Sequence, residues 1–113
     1  MNKVALYARV STDQQSTGLE SQVRILRDYC AKNDIANYEL FTDEGISGTK
    51  SSRPALDRMM AAITNKEVGS VVVYSFSRFA RSTTHLLNAL HVFKAHNVAF
   101  VSITEKIDTS TLE

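Results

Sequence analysis

The sequence predicts a three-layer α/β/α domain around a mainly parallel sheet of four or five strands. Three observations lead there. Short apolar runs alternate with segments of helical period along the chain, the signature of consecutive βαβ units. One run, VVVY at 71–74, is unbroken and β-branched, as expected of a strand covered on both faces. At 113 residues the chain has room for one such core and not for two.

Taken in order, the first strand is Val4–Ala8. Thr17 and Glu20 stand three apart in the pattern of a capping box, with Thr17 as the cap. The helix behind them carries Leu19, Val23, Leu26 and Cys30 on one stripe. A second strand is expected at about Tyr38–Thr42, followed by the polar loop DEGISGTKSS. With two glycines and only Ile46 as an apolar anchor, that loop is expected to be mobile. Pro54 suits the first turn of the next helix, whose core stripe is Leu56, Met59, Met60 and Ile63. The third strand is Val71–Tyr74, and SFSRFARS follows it. A helix is then predicted from about Ser82 to His96, with Leu86, Leu87, Leu90 and Phe93 inward and Asn97 as its stop. The fourth strand is Val98–Ile103, and the last ten residues show no clear period.

Composition excludes more than it assigns. No apolar run approaches the roughly 20 residues of a membrane span. The N-terminus, MNKVALYARVS, stops at Arg9 and reads as a strand rather than a signal peptide. Cys30 is the only cysteine, so no intrachain disulfide can form and a reducing, cytoplasmic setting is expected. The net charge of +1 gives no argument for a nucleic-acid partner. The placement of the arginines says more. Of seven, four (Arg9, Arg53, Arg78 and Arg81) fall in predicted loops or at the ends of elements.

In open parallel sheets, ligands bind outside the carboxyl ends of the strands. The first strand delivers Arg9 and Ser11 to that rim, the second Asp43, and the third Ser77, Arg78 and Arg81. An arginine at the end of a buried strand needs an anion to hold, either a carboxylate, for which Asp43 is a candidate, or a phosphate. A serine after a strand is ordinarily a helix cap. Here Thr17 and Glu20 already give that signal, which leaves Ser11 without a structural task. Arg78 and Arg81 are three apart and point the same way on a helical turn, which is costly unless something negative lies between them. Arg53 directly precedes Pro54 at the positive end of a helix, where a phosphate is welcome and a cation is not. Each arginine alone reads as a solvated surface residue. Four on one rim, beside a spare serine, predict a phosphate site.

Gln22 lies inside the apolar stripe of the first helix, so its amide is expected to hydrogen-bond the strand-1 loop, with a direct role in the site equally open. His85, His91 and His96 lack metal-ligand spacing, and neither a metal nor a cofactor is expected. If the chemistry is phosphoryl transfer, the arginines must stabilise the charge that a metal usually stabilises. Ser11 would then attack phosphorus and form a covalent phosphoserine.

YARVSTDQQ, FTDEGISGTKSSRPAL and VVVYSFSRFARS, in this order and spacing, resemble the catalytic domain of the serine recombinases, the resolvase/invertase family. The resemblance runs over essentially the whole chain and implies a resolvase-like sheet of flavodoxin-like order. It implies a metal-free site-specific DNA recombinase whose serine joins the 5′-phosphate and leaves a free 3′-hydroxyl. Strands are then exchanged in a tetramer and religated. Position by position, Ser11 matches the nucleophile, and Arg9, Arg78 and Arg81 the phosphate-binding arginines. Arg53 resembles the arginine that ends the mobile loop, and Gln22, Asp43 and Ser47 match supporting polar residues. Two departures stand out. The family usually has Asp where this chain has Ser77, so an acid role at that position is in doubt. The resemblance also implies a long dimerisation helix and a DNA-binding domain that are not in this sequence. Residues 1–113 therefore read as a truncated catalytic core, with Leu112-Glu113 resembling a cloning scar. Such a fragment is expected to fold but not to recombine by itself. Its oligomeric state is open, and the partners implied are DNA and, in the full-length protein, further copies of the chain, with no membrane.

Two other readings compete. A flavodoxin-like phosphate- or nucleotide-binding module would use the STDQQST loop for a flavin phosphate, but that ligand hardly needs four arginines. A phospho-acceptor receiver domain would use Asp43, but it needs acidic residues where this chain has Arg9.

Overall fold

The computed structural model describes residues 3–10, 16–44, 54–80 and 82–109. Strands β1 (Lys3–Val10), β2 (Tyr38–Glu44), β3 (Val68–Val73), β4 (Ala99–Ser102) and β5 (Ile107–Asp108) form one sheet, in the order β2-β1-β3-β4-β5. The first four are parallel, and β5 runs antiparallel to β4. Helices α1 (Ser16–Lys32), α2 (Pro54–Thr64), α3 (Phe76–Phe79) and α4 (Thr83–Ala95) complete the fold. This is the predicted three-layer architecture and strand order.

The alternation of side chains along each strand divides the interior in two. Val71 and Val73 of β3 face a core shared with Ala5, Tyr7 and Phe41 of the sheet, Met59 and Ile63 of α2, Phe79 of α3 and Phe93 of α4. Val72, between them, faces the other core with Leu6, Ala8 and the α1 residues Leu26 and Cys30. The VVV run is thus covered on both faces, as its composition predicts. Complete burial of one such side chain contributes about 1.5–3 kcal/mol, which makes the two central strands the firmest part of the molecule.

The departures from expectation have local causes. Helix α1 begins at Ser16, so Thr17 lies inside the helix and not at its cap. The capping signal that would leave Ser11 without a structural task therefore does not stand at Thr17. Strand β2 runs on to Glu44, which puts Asp43 in the ladder opposite Arg9 instead of in a loop. Leu87, expected on the inner side of α4, is 59% exposed, and Ala89 takes the buried position. Asn97 does stop α4, with φ at +57° in the left-handed region that asparagine tolerates. Two short elements carry no sequence period and were not predicted. The one-turn α3 lies within SFSRFARS, and β5 lies in the last ten residues.

Candidate active site

The rim at the carboxyl ends of the strands is uneven, and the unevenness builds the site. Pairing of β1 with β3 ends at Tyr7↔Val73, whereas pairing of β1 with β2 continues to Val10↔Glu44. Arg9 therefore projects past the end of β3 while still anchored to β2. The missing rung is supplied by Gln22 of α1, which is buried at 4% exposure. Its Oε1 accepts from the Arg9 backbone N–H (3.3 Å), and its Nε2 donates to the Arg9 carbonyl (3.0 Å). A side-chain amide has the same donor and acceptor as a peptide group, so one residue replaces a strand. This is the contact the sequence predicted for Gln22, made to the strand's own backbone.

The Arg9 side chain is fixed by α3. Its Nε donates to the carbonyl of Arg78 (3.3 Å) and its Nη2 to the carbonyl of Ser77 (3.1 Å). Two parallel bonds to one peptide segment set the plane of the guanidinium fork. Arg9 and Arg78 therefore belong to one assembly. Helix α3 is a single turn, too short to be stable alone, and three features hold it. The hydroxyl of Ser75 caps it by accepting from the Arg78 N–H (3.2 Å). The Ser75 and Ser77 hydroxyls lie 3.2 Å apart. Phe79, fully buried, rests its ring against Tyr7, Phe93 and Phe100, with centroids 6.1, 5.9 and 5.3 Å away.

Asp43 does not hold Arg9, although the two stand opposite each other in the ladder. Its Oδ1 accepts from the backbone N–H of Ala55 (2.9 Å), and its Oδ2 accepts from the N–H of Leu56 (3.1 Å) and from the Tyr7 hydroxyl (2.8 Å). The carboxylate, 4% exposed, caps α2 and ties it to β1. The α2 terminus that the sequence offered to a phosphate is already occupied by this side chain.

The structure thus brings Arg9, Gln22, Ser77 and Arg78 together on the rim, and sets Asp43 beneath it as a structural cap. Ser11, Ser47, Arg53 and Arg81 lie outside the described residues, as does most of the DEGISGTKSS loop. Helix α3 ends at Phe79, and Ala80 after it is extended, with φ −118° and ψ 146°; the expected pairing of Arg78 with Arg81 lies outside the described residues. Sequence reasoning missed Ser75, Phe79 and Tyr7. Ser75 had a legible signal, a serine three residues before a helical N–H, obscured because the helix it starts is only four residues long.

Two other features lie away from this rim. A groove of about 780 Å³ runs between α4 and the amino ends of β3 and β4, lined by Ser70, Leu90, Phe93, Asn97, Ala99 and Thr109. Among the described residues, no three His, Cys, Asp or Glu side chains gather so that they could hold a metal ion. No helix among them is long and apolar enough to cross a membrane.

Comparison with known proteins places this geometry in a family. The model of the resolvase N-terminal domain matches residues 4–113. The chain is 37% identical over 105 residues to the transposon Tn917 resolvase of Enterococcus faecalis, covering 93% of this chain and 51% of that one. It is 30% identical over 105 residues to the DNA-invertase of Escherichia phage P1, covering 93% and 50%. The chain spans about half the length of these curated relatives. Among solved structures, the N-terminal catalytic domain of TP901-1 integrase superposes with a TM-score of 0.87 at 34% identity, over 98% of this chain and 85% of that one. A serine recombinase from Sulfolobus solfataricus superposes with a TM-score of 0.77 at 33% identity, over 91% and 69%.

Proposed function

This chain belongs to the resolvase N-terminal domain family, and we propose that it is the catalytic core of a site-specific DNA recombinase with Ser11 as nucleophile. The observation that carries the reading is the clamp on Arg9. The guanidinium at the end of a central strand rests on the carbonyls of the segment that bears Arg78, so the backbone that carries the second arginine is tied to the first. Such a pair suits a phosphodiester, whose non-bridging oxygens gain charge as the nucleophile attacks. Arg53 and Arg81 are assigned to the same oxygens by their match to the family's arginines.

In the reaction, the Ser11 Oγ bonds to phosphorus and gives up its proton. The bond from phosphorus to the 3′-oxygen breaks, and that oxygen leaves as a hydroxyl after taking a proton. The phosphoserine keeps the energy of the broken ester, so attack by a 3′-hydroxyl reverses the step without an external source. Ser77 has no carboxyl to donate, and water or another group protonates the leaving oxygen. Gln22 acts through Arg9, by holding its backbone, and Asp43 acts through α2. DNA is the substrate, and in the full-length protein copies of this domain pair and then form the tetramer in which strands exchange.

The test is to trap the intermediate. Full-length protein is incubated with duplexes from the source organism's genome, quenched in detergent and digested, and Ser11 is examined by mass spectrometry for attached nucleotide. The adduct is expected in the wild type and absent from Ser11→Ala. Arg9→Lys should also fail, because an ammonium cannot bridge two oxygens as a guanidinium does. An adduct on a different residue, or an undiminished adduct in Ser11→Ala, would overturn the assignment.

A further inference from the structure

We propose that Glu105, in the turn between β4 and β5, is a positioning residue for Arg9 and acts on it through α3. The inference rests on the recombinase reading above for its consequence in catalysis, and on geometry alone for the linkage itself.

Three donors converge on one oxygen of this side chain. Glu105 Oε1 accepts from the backbone N–H of Phe76 (3.3 Å), from Thr104 Oγ1 (2.9 Å) and from the hydroxyl of Ser102, which is fully buried. An ionised oxygen with several donors makes short, strong bonds and is held in place. The turn that carries it is stitched to the end of β3. The Ile103 N–H donates to the Val73 carbonyl (3.1 Å) and the Thr104 N–H to the Tyr74 carbonyl (3.0 Å). Glu105 is therefore fixed to the strand end from which α3 departs.

What it holds there is the first N–H of α3. Ser75 takes the Arg78 N–H and Glu105 takes the Phe76 N–H, and these two bonds cap the single turn. At its other end the turn presents the Ser77 and Arg78 carbonyls that receive Arg9. A path of hydrogen bonds thus runs from the β4–β5 turn through α3 to the guanidinium. Phe79 sets the depth of α3 in the core, and a ring can rock about such an anchor. Two caps at the first turn oppose that rotation. Glu105 thereby sets the direction in which the Arg9 fork points. Its hydrogen-bond partners are neutral groups, so a carboxylate is not placed here to satisfy a cation. Burial tends to raise its pKa, but the bonds from Ser102, Thr104 and Phe76 and from its own backbone outweigh that and hold it lower than usual. A group so held suits an anchor and not a proton donor.

The experiment uses the full-length protein as wild type, Glu105→Ala and Glu105→Gln, the last nearly isosteric so that folding is preserved. Two quantities are read: the Arg9 Nε–H resonance by NMR, and the yield of Ser11 adduct on the genomic duplexes. In Glu105→Ala the Arg9 resonance should move and the adduct yield should fall by about tenfold, the effect of loosening one oriented contact. Glu105→Gln should recover part of both, since an amide oxygen still accepts, and thermal unfolding should remain cooperative. An unmoved Arg9 resonance in Glu105→Ala, or an adduct yield equal to wild type despite a moved resonance, would overturn the proposal. If wild-type protein forms no adduct, the recombinase reading fails, and the Arg9 resonance still decides the linkage.

Discussion

On one side of Arg9 the chain is held in place by an aromatic ring, and on the other by a carboxylate. Helix α3 is anchored from below by Phe79, which lies among Tyr7, Phe93 and Phe100. Helix α2 is anchored at its start by Asp43, which takes the N–H groups of Ala55 and Leu56. The ring gives depth and little direction, because dispersion contacts are many and individually weak. The carboxylate gives direction, because its bonds are few and oriented. This contrast explains why α3 needs two further caps, Ser75 and Glu105, and α2 does not depend on a large ring at its first turn. Tyr7 joins the two systems, since its ring packs edge-on to Phe79 while its hydroxyl donates to Asp43.

The largest effect should come from removing the apolar anchor. Phe79→Ala empties a fully buried site and is expected to cost about 3–5 kcal/mol in urea unfolding. Protection of the α3 and α4 amides from hydrogen exchange should fall before that of α2. If α2 loosens first, the division into two anchors is wrong. Asp43→Asn comes next. An amide presents a donor where the carboxylate offered an acceptor, so at least one N–H of α2 loses its partner, at a cost of about 1–3 kcal/mol. Here the Ala55 and Leu56 amides should be the ones that exchange faster.

These anchors differ in how far the sequence announced them. The covered β3 and the Gln22 contact were legible, because each follows from a pattern over neighbouring residues, whereas the sheet order came only with the family resemblance. A polar residue within an apolar stripe, such as Gln22, must find a partner nearby, and the backbone of Arg9 supplies both its donor and its acceptor. Asp43 was legible as an acid delivered to the rim by the second strand and as one candidate anion for Arg9, a role it does not take. Its choice of the α2 terminus depends on where residue 54 returns in space, which no local pattern encodes. Helix α3 was illegible for a different reason. Four residues are too few to show a 3.6 period, so Phe79 looked like any aromatic in a polar stretch. Glu105 escaped notice because its value lies in a turn whose tertiary position alone brings it to Phe76.

A smaller change sharpens the comparison at the residue both anchors share. Tyr7→Phe keeps the ring against Phe79 and removes only the bond to Asp43. The expected cost is about 1 kcal/mol, the net worth of one hydrogen bond. If the two systems are separate, exchange at Ala55 and Leu56 should quicken while α3 stays as protected as in the wild type. Equal loosening of both would mean that Tyr7 couples them through its ring, and that Asp43 reaches α3 as well as α2.

The smallest expected effect concerns acid, and it separates the oriented contact at Glu105 from the apolar one at Phe79. Burial tends to raise the Glu105 pKa, but the hydrogen bonds from Ser102, Thr104, the Phe76 N–H and its own backbone outweigh it, and the carboxyl lies below its ordinary value of 4.5. A carboxyl whose folded pKa is depressed binds its proton more readily when unfolded. Its contribution to stability is therefore complete above the unfolded value and drains away as the pH falls through the folded one. Wild type should accordingly be more stable than Glu105→Gln near neutral pH, and the difference should shrink as the pH is lowered to about 3. Urea midpoints of the two proteins at both pH values measure it, and titration of the remaining carboxylates cancels in the difference. Phe79→Leu, which carries no titratable group, should keep a constant difference from wild type over the same range. A constant difference for Glu105→Gln as well would show that its carboxylate is held by shape and not by charge, and that the two anchors of α3 work by one kind of force.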